Sequence, residues 1–541
     1  MGIAKWVLAF VSVWFYTSSP CHAEWAVTCG GCYPDEAYSI QQTADGGCVV
    51  AGNTASFGAS FTNMWILKLN SDMGIVWQKS CGGSGPDVAY AIQETVDRGY
   101  VVAGKTSSYG AGSSDIWVLK FHSDGTTAWQ KTYGGTDADV AYAIQQTSDG
   151  GYILAGETES PISPNKDIWV LKVNPDGDIS WQKTYGGPWD DVAYSVRQTL
   201  DGGYILAAHT HAVDDESGDI WVLKLHVDGS TAWQKTYGGD DDDRALSIVA
   251  TPDGGYAVAG ATESYGAGSS DIWVLKLHAD GSSAWQKTYG GDSYDAGYAM
   301  QQTSDGGYVV AGWTSSFGVG YGDIWVLKLN ADGSVAWQNT YGDADMNVAS
   351  AIQQTSDGGY ILTGRSYVSG EDGRDFVILR LDANGQTPDG TGMGTSEASV
   401  SDTSVADQGV YIVPEYTFVL PSNTAALPQD TWAGPSLDCG DPVIDSLKPR
   451  PFEPGVVMRI VGHGFNVLQG DSVVHIGNRV FDSSSARIKL WSATKIKIKI
   501  PKYKCQWFRD QANRSRRVWV TVRGIDSNKK KMKVMKPSAC Q

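Results

Sequence analysis

The sequence predicts an all-β chain whose larger part closes into a seven-bladed β-propeller, and three observations predict it. Tryptophan recurs at Trp25, Trp77, Trp129, Trp181, Trp233, Trp285 and Trp337, a constant step of 52 residues. A second series at the same step, Trp65, Trp117, Trp169, Trp221, Trp273 and Trp325, ends in Val377. A turn of the Asp-Gly-Gly type opens at Asp45, Asp97, Asp149, Asp201, Asp253, Asp305 and Asp357. Self-similarity at a fixed period of this length marks a repeat architecture, and seven units follow one another without insertion or deletion.

In chain order, residues 1–23 come first. Lys5 precedes an apolar run from Trp6 to Tyr16, and the small residue Ala23 closes the segment. That is the layout of a secretory signal, with an apolar run too short to cross a bilayer and no later run near the ~20 residues a span needs. Pro20 before Cys21 argues against a lipoprotein, so cleavage after Ala23 and a soluble exported product are expected. Seven cysteines follow, Cys29, Cys32, Cys48, Cys81, Cys439, Cys505 and Cys540. An odd number is not a dense disulfide framework, and Cys29-Gly-Gly-Cys32 has metal-site spacing without a second pair to complete four ligands.

Residues 24–386 carry the repeats. The unit beginning at Asp243 reads "RALSIVAT", the turn "PDGG", "YAVAGATE", a Gly-Ser loop, "DIWVLKLH", the turn "ADGS" and "SAWQKTYGG". Short apolar runs bounded by Gly and Asp-Gly turns are antiparallel hairpins, and no segment carries a helical period long enough to compete. Four strands per unit, repeated seven times, build a ring that leaves no long sheet edge.

These repeats resemble those of bacterial tryptophan-docking propellers, the pyrroloquinoline-quinone type and related kelch-like ones. The resemblance implies that the strand before the Asp-Gly-Gly turn is innermost and the strand ending in "AWQKTYGG" outermost. An eighth member of the first tryptophan series would fall on Asp389. The last unit, 347–382, therefore lacks an outer strand, and "EWAVTCGG" at 24–31 is expected to supply it. Residues 70–77, "NSDMGIVW", come near the sialidase Asp-box, which is structural in that family. No arginine triad accompanies it.

Thirteen of the 21 tryptophans occupy the two repeated positions, as wedges between neighbouring sheets require, so they are assigned a structural role. A ligand is expected instead on the face that carries the acidic loops "TDADVA", "PWDDVA", "DDDDRA" and "DSYDAG" and the long Gly/Ser loops. There Asp35, Asp87, Asp139, Asp191, Asp243 and Asp295, with Asn347, share one position of the period. Such residues bind turn amides; the sharper alternative is a ring of carboxylates for Ca2+. His209 and His211 beside Asp214 break the repeat and are candidate metal ligands, against plain loop variation.

Residues 387–440 are rich in Gly, Ser, Thr and Asp and read as a flexible linker. Beyond them, Pro442, Ile444, Gly455, Gly462-His463-Gly464-Phe465, Gly477, Trp491-Ser492, Pro501 and the closing Val520, Val522 and Gly524 resemble the IPT/TIG family, which implies an immunoglobulin-like sandwich over 441–541. This segment holds 21 Lys and Arg against seven Asp and Glu, a balance of +14; the chain as a whole carries −19, which leaves −33 for the rest. The expectation is a non-catalytic binding or adhesion scaffold at the cell surface or in the periplasm. Its partners would be protein or acidic polysaccharide rather than nucleic acid. The alternative is a propeller enzyme, quinone-dependent or glycan-cleaving.

Overall fold

The computed structural model describes residues 26–30 and, apart from 31–32, 59–60, 161–162, 212–216 and 368–373, the chain from 33 to 387. Outside that range it describes the backbone of a short strand at 21–23 and of strands between 393 and 533. Among the described residues there is no helix.

The repeats form seven antiparallel sheets, each in chain order from the axis outward. Blade one is Asp35–Gln42, Cys48–Thr54, Asn63–Leu69 and Ile75–Cys81. Blade two begins at Asp87–Glu94, three at Asp139–Gln146, four at Val192–Gln198, five at Asp243–Ala250 and six at Asp295–Gln302. Blade seven is Asn347–Gln354, Tyr360–Tyr367 and Arg374–Leu381, and its fourth strand is Ala26–Cys29. Ala26 pairs with Leu379 and Cys29 with Phe376, so the expected closure by the start of the chain is what the structure shows.

The second and third strands are buried along nearly their whole length, because each sheet is covered by a neighbour on both faces. Core clusters accordingly span blade pairs: Ile153, Val170 and Tyr185 of blade three pack with Leu206, Trp221 and Leu223 of blade four. Trp65, Trp169, Trp221, Trp273 and Trp325 are fully buried and Trp117 nearly so; Val377 takes that place in blade seven.

The outer tryptophans lock the blades together. Trp181 Nε1 donates to the Val227 carbonyl of the next blade at 3.1 Å, and its ring packs 5.8 Å from that of Tyr204. The indole lies against Gly229, whose φ is +77° and where a Cβ would come within 2.8 Å of the ring. Trp77, Trp129, Trp233 and Trp285 donate in the same way to Ser123, Pro175, Ala279 and Ala331. Trp337 packs on Tyr360 and Gly385. Trp25 lies outside the described residues.

Each Asp-Gly-Gly turn is pinned by the basic residue next to the end of the third strand. Lys68, Lys120, Lys172, Lys224, Lys276 and Lys328 are buried and reach Asp45, Asp97, Asp149, Asp201, Asp253 and Asp305 at 2.8–3.0 Å; Arg380 and Asp357 do the same in blade seven. A glutamine belt joins the innermost strands near this face. Gln41, Gln93, Gln145, Gln301 and Gln353 each accept the backbone N–H of Glu94, Gln146, Gln198, Gln354 and Gln42 on the following blade. Arg197 and Val249 interrupt the belt at blades four and five.

Three short strands lie inside the segment read as flexible linker. Met393–Thr395 pairs with the outer strand of blade six, Ser399–Asp402 with that of blade five and Gln408–Gly409 with that of blade four. Backbone N–H and C=O groups left open on an outer strand are a ready template for another strand. Composition reads such a segment as linker because its few apolar residues form no run.

The C-terminal unit is separate. One sheet joins Val443–Lys448, Val457–His463, Lys495–Lys499 and Ile488–Ser492. The other joins Arg479–Asp482, Val473–Ile476, Ser515–Val522 and Ile525–Asp526, with Lys530–Lys533 also on Ser515–Val522.

Candidate functional site

Where the period holds, side chains build the ring. The six aspartates proposed as a carboxylate rim are all buried, at most 1 % exposed. Asp87 accepts the Gly83 amide at 3.0 Å and the Ser108 hydroxyl at 2.7 Å; Asp243 and Asp295 repeat this with Gly239 and Ser264, and Gly291 and Ser316. Asp139 and Asp191 take the Gly135 and Gly187 amides, and Asp35 the Ser56 hydroxyl. Each carboxylate therefore serves its own loop, in the turn-amide role. Among the described residues no group of three or more His, Cys, Asp or Glu side chains is placed to hold a metal. Cys29 is disulfide-bonded, which removes it as a zinc ligand.

Sequence reasoning missed a second aspartate series. Asp115 at the head of a third strand and Asp139 of the next blade flank Gly134, where a Cβ would lie 2.0 Å from Asp115 Oδ1 and 2.7 Å from Asp139 Oδ2. Asp271 and Asp295 flank Gly290 likewise. Burial pushes Asp139 up to about 7, with the Asp115 charge adding to it, and Asp191 and Asp323 up to about 6. The signal was present in "SSDIW" and "KDIW", read only as strand starts.

Where the period fails, side chains gather on the loop-bearing face around the axis. Every innermost strand has a bulge at one position, between Ala37 and Ser39 in blade one and between Ala193 and Ser195 in blade four. A bulge re-aims the extra residue, here into a central channel of about 370 Å3 lined by Tyr38, Tyr90, Tyr142, Tyr194, Leu246, Tyr298 and Ser350. The first four tyrosines stack with ring centroids 5.0–5.3 Å apart. Burial first, then Glu157 and Glu36, pushes Tyr90 up to about 12.

One position above, the second strand shows a different residue in each blade: Asn53, Lys105, Glu157, His209, Ala261, Trp313 and Arg365. They stand opposite Glu36, Val88, Val140, Val192, Arg244, Ala296 and Val348. The mouth is thereby polarised. Tyr38 donates to Glu36, and Lys166 pairs with Glu157 at 3.1 Å, over the tyrosine arc. Arg244 and Arg365 stand over the side that Leu246 and Ser350 leave without a phenol, and both hold the Tyr298 pKa lower than burial alone would set it.

Blades four to six carry the densest cluster. His209, 6 % exposed, meets Asp242 at 2.9 Å through Nε2, and the other Asp242 oxygen pairs with Arg244 at 2.5 Å. Burial holds the imidazole below its usual pKa, against the pull of Asp242. His211 packs edge-on, 4.7 Å between ring centroids, and contacts the Asp190 carbonyl. Gly218 leaves the room: a Cβ there would lie 1.8 Å from His209 Nε2. Asp214 lies outside the described residues, and His209 is committed to a carboxylate rather than to a metal set. Next along the rim, Tyr294 packs on Trp313 at 5.7 Å and bonds Glu263. Trp189, half exposed, and Tyr321, 81 % exposed, offer bare aromatic faces on the loops. An oriented imidazole, a guanidinium and exposed rings can hold a polar ligand by hydrogen bonds and stacking.

Two family matches agree with this architecture. Residues 442–533 match the IPT/TIG domain, and 303–335 match a domain of unknown function, DUF5122, described as a beta-propeller. The Regulatory protein FlaEY of Caulobacter vibrioides is 26 % identical over 197 residues, 34 % of this chain. The matched part is 19 % of that protein's length, so the chain spans about a fifth of the curated relative. Among solved structures, a fungal alcohol oxidase in complex with copper is 12 % identical (94 % of this chain, 98 % of that one, TM-score 0.40). A polysaccharide lyase is 10 % identical (65 % and 90 %, TM-score 0.40). A propeller joined to an IPT/TIG domain is compatible with a binding or adhesion scaffold.

Proposed function

We propose that the protein is an exported, non-catalytic binding scaffold whose propeller engages its ligand on the loop-bearing face, over blades four to six. The observation that supports this is the placement of the exceptions. On a scaffold repeated seven times, unlike residues gather at one mouth, with exposed aromatic rings beside paired charges. Trp and Tyr faces with oriented polar groups suit sugar rings or a protein loop. The basic C-terminal domain, +14 by formal charge, would engage a separate anionic partner such as an acidic envelope polysaccharide, so that two modest sites act together.

The test is a glycan array probed with the full chain and with Trp189→Ala, Tyr321→Ala and Arg244→Val. Binding to defined glycans that the three variants lose, at unchanged melting temperature, supports the reading. Variants that bind as the parent does would refute the location. Retention on acidic glycans should also fall steeply between low and physiological salt.

A further inference from the structure

The loop face is not the only place where the period breaks toward the axis. At the opposite end of the channel the glutamine belt has five members, and the sixth position is Arg197. Each glutamine spends its Oε1 on the amide of the next blade at 2.5–2.6 Å. A backbone N–H can be met only by that oxygen, so the orientation of all five carboxamides is forced and their NH2 groups remain for the channel. Arg197 cannot accept a hydrogen bond and so cannot serve the following blade. Among the described residues its hydrogen bond runs from Nη1 to the Val196 carbonyl at 2.8 Å.

The seventh position is Val249, which contributes neither charge nor polar group. Among the described residues lining the channel, Arg197 is the one with a formal charge. Glu94, next to Gln93, turns away: its carboxylate takes the Ala44 amide and Arg98, and it borders a separate pocket on the turn face. The aspartates of that face are already held by the third-strand lysines. A guanidinium with no carboxylate opposite, ringed by N–H donors, is an incomplete ion pair.

We infer that the belt end of the channel binds an oxyanion, a carboxylate, sulfate or phosphate group, seated on Arg197 with the glutamine NH2 groups as auxiliary donors. A guanidinium grips such a group through two parallel N–H bonds, and five fixed carboxamides add neutral donors without having to reorganise. Repulsion from the acidic loops acts mainly at the other mouth. The site is independent of the loop-face reading and stands or falls separately from it.

Arg197→Gln tests it, because glutamine is what five other blades carry and the substitution completes one more belt bond. Isothermal titration of the full chain with sodium sulfate, inorganic phosphate and sodium glucuronate, at constant ionic strength in chloride, should show one saturable site. Its affinity should fall about tenfold or more in R197Q, while the melting temperature stays level or rises. Tetrahedral anions and glucuronate in parallel distinguish a phosphate or sulfate ligand from a uronic acid, and Trp189→Ala should leave the site intact. Heat that is absent for all three probes, or equal in parent and variant, would overturn the inference. So would a lower melting temperature for R197Q, since the guanidinium would then be serving the fold.

Discussion

Two residues occupy two backbone positions that the repeat reserves for glycine. Arg98 has φ +64° where other blades have glycine near +80°, and Met73 has φ +63°. The left-handed region costs a residue with a Cβ about 1–2 kcal/mol, partly offset by the extra entropy glycine loses on folding. Arg98→Gly and Met73→Gly should therefore each stabilise the chain by about 0.5–1 kcal/mol in urea unfolding. The Arg98 to Glu94 ion pair, 3.8 Å long and exposed on the arginine side, forfeits little.

The two aspartate populations pull stability in opposite directions with pH. Desolvation works against ionisation of Asp45, but the Thr43 hydroxyl, Lys68 and the Gly47 amide hold it down to about 2. A depressed folded pKa gives stability that is present above about 4 and lost as pH falls through 2. Asp139, pushed up to about 7 by burial, does the reverse: the fold prefers it protonated, and its contribution is lost as pH rises from 4 through 7. Stability should peak between about pH 4 and 6. Asp139→Asn, the residue blade seven carries as Asn347, should flatten the decline between pH 4 and 7 in urea unfolding; an unchanged slope would refute the assignment.

At the scale of strands, the tryptophan contacts set the blade angle. Gly229→Ala puts a methyl into the Trp181 ring and should cost more than Trp181→Ala loses in burial, about 3 kcal/mol. Equal melting temperatures for parent and Gly229→Ala would contradict the docking. This element-level logic was legible in the sequence, since the 52-residue step forces thirteen indoles into two equivalent places. The bulge that turns Tyr38 and its counterparts into the channel was not legible, because a single extra residue leaves no mark in a strand of mixed pattern. The variable position from Asn53 to Arg365 was likewise invisible as a site: without knowing which strand faces the axis, seven unlike residues read as drift. His209 and His211 were legible as a pair that breaks the repeat, but the partner of His209 was not, since Asp242 lies in the next blade's loop, 33 residues on.

At the scale of the ring, pairing of Ala26–Cys29 with Arg374–Leu381 joins the two ends of the propeller. Removing residues 24–31 should lower the melting temperature of the whole ring, because blade seven then exposes an open edge to solvent and the first and last blades lose their covalent tie. The strands at 393–409 add a second tie on the outside, over blades six, five and four. The molecule thus separates its tasks: repeated residues carry closure and packing, and the exceptions that face the axis stand at the two ends of one channel.

That division is open to a direct test by the melting temperature of a variant that restores the repeat at four exceptions, Arg197→Gln, Arg244→Val, Leu246→Tyr and Val249→Gln. Residues kept for binding at the expense of the scaffold give up stability, so the account predicts a melting temperature equal to or above that of the parent. A clear fall would mean that these side chains hold the ring together, and would contradict it.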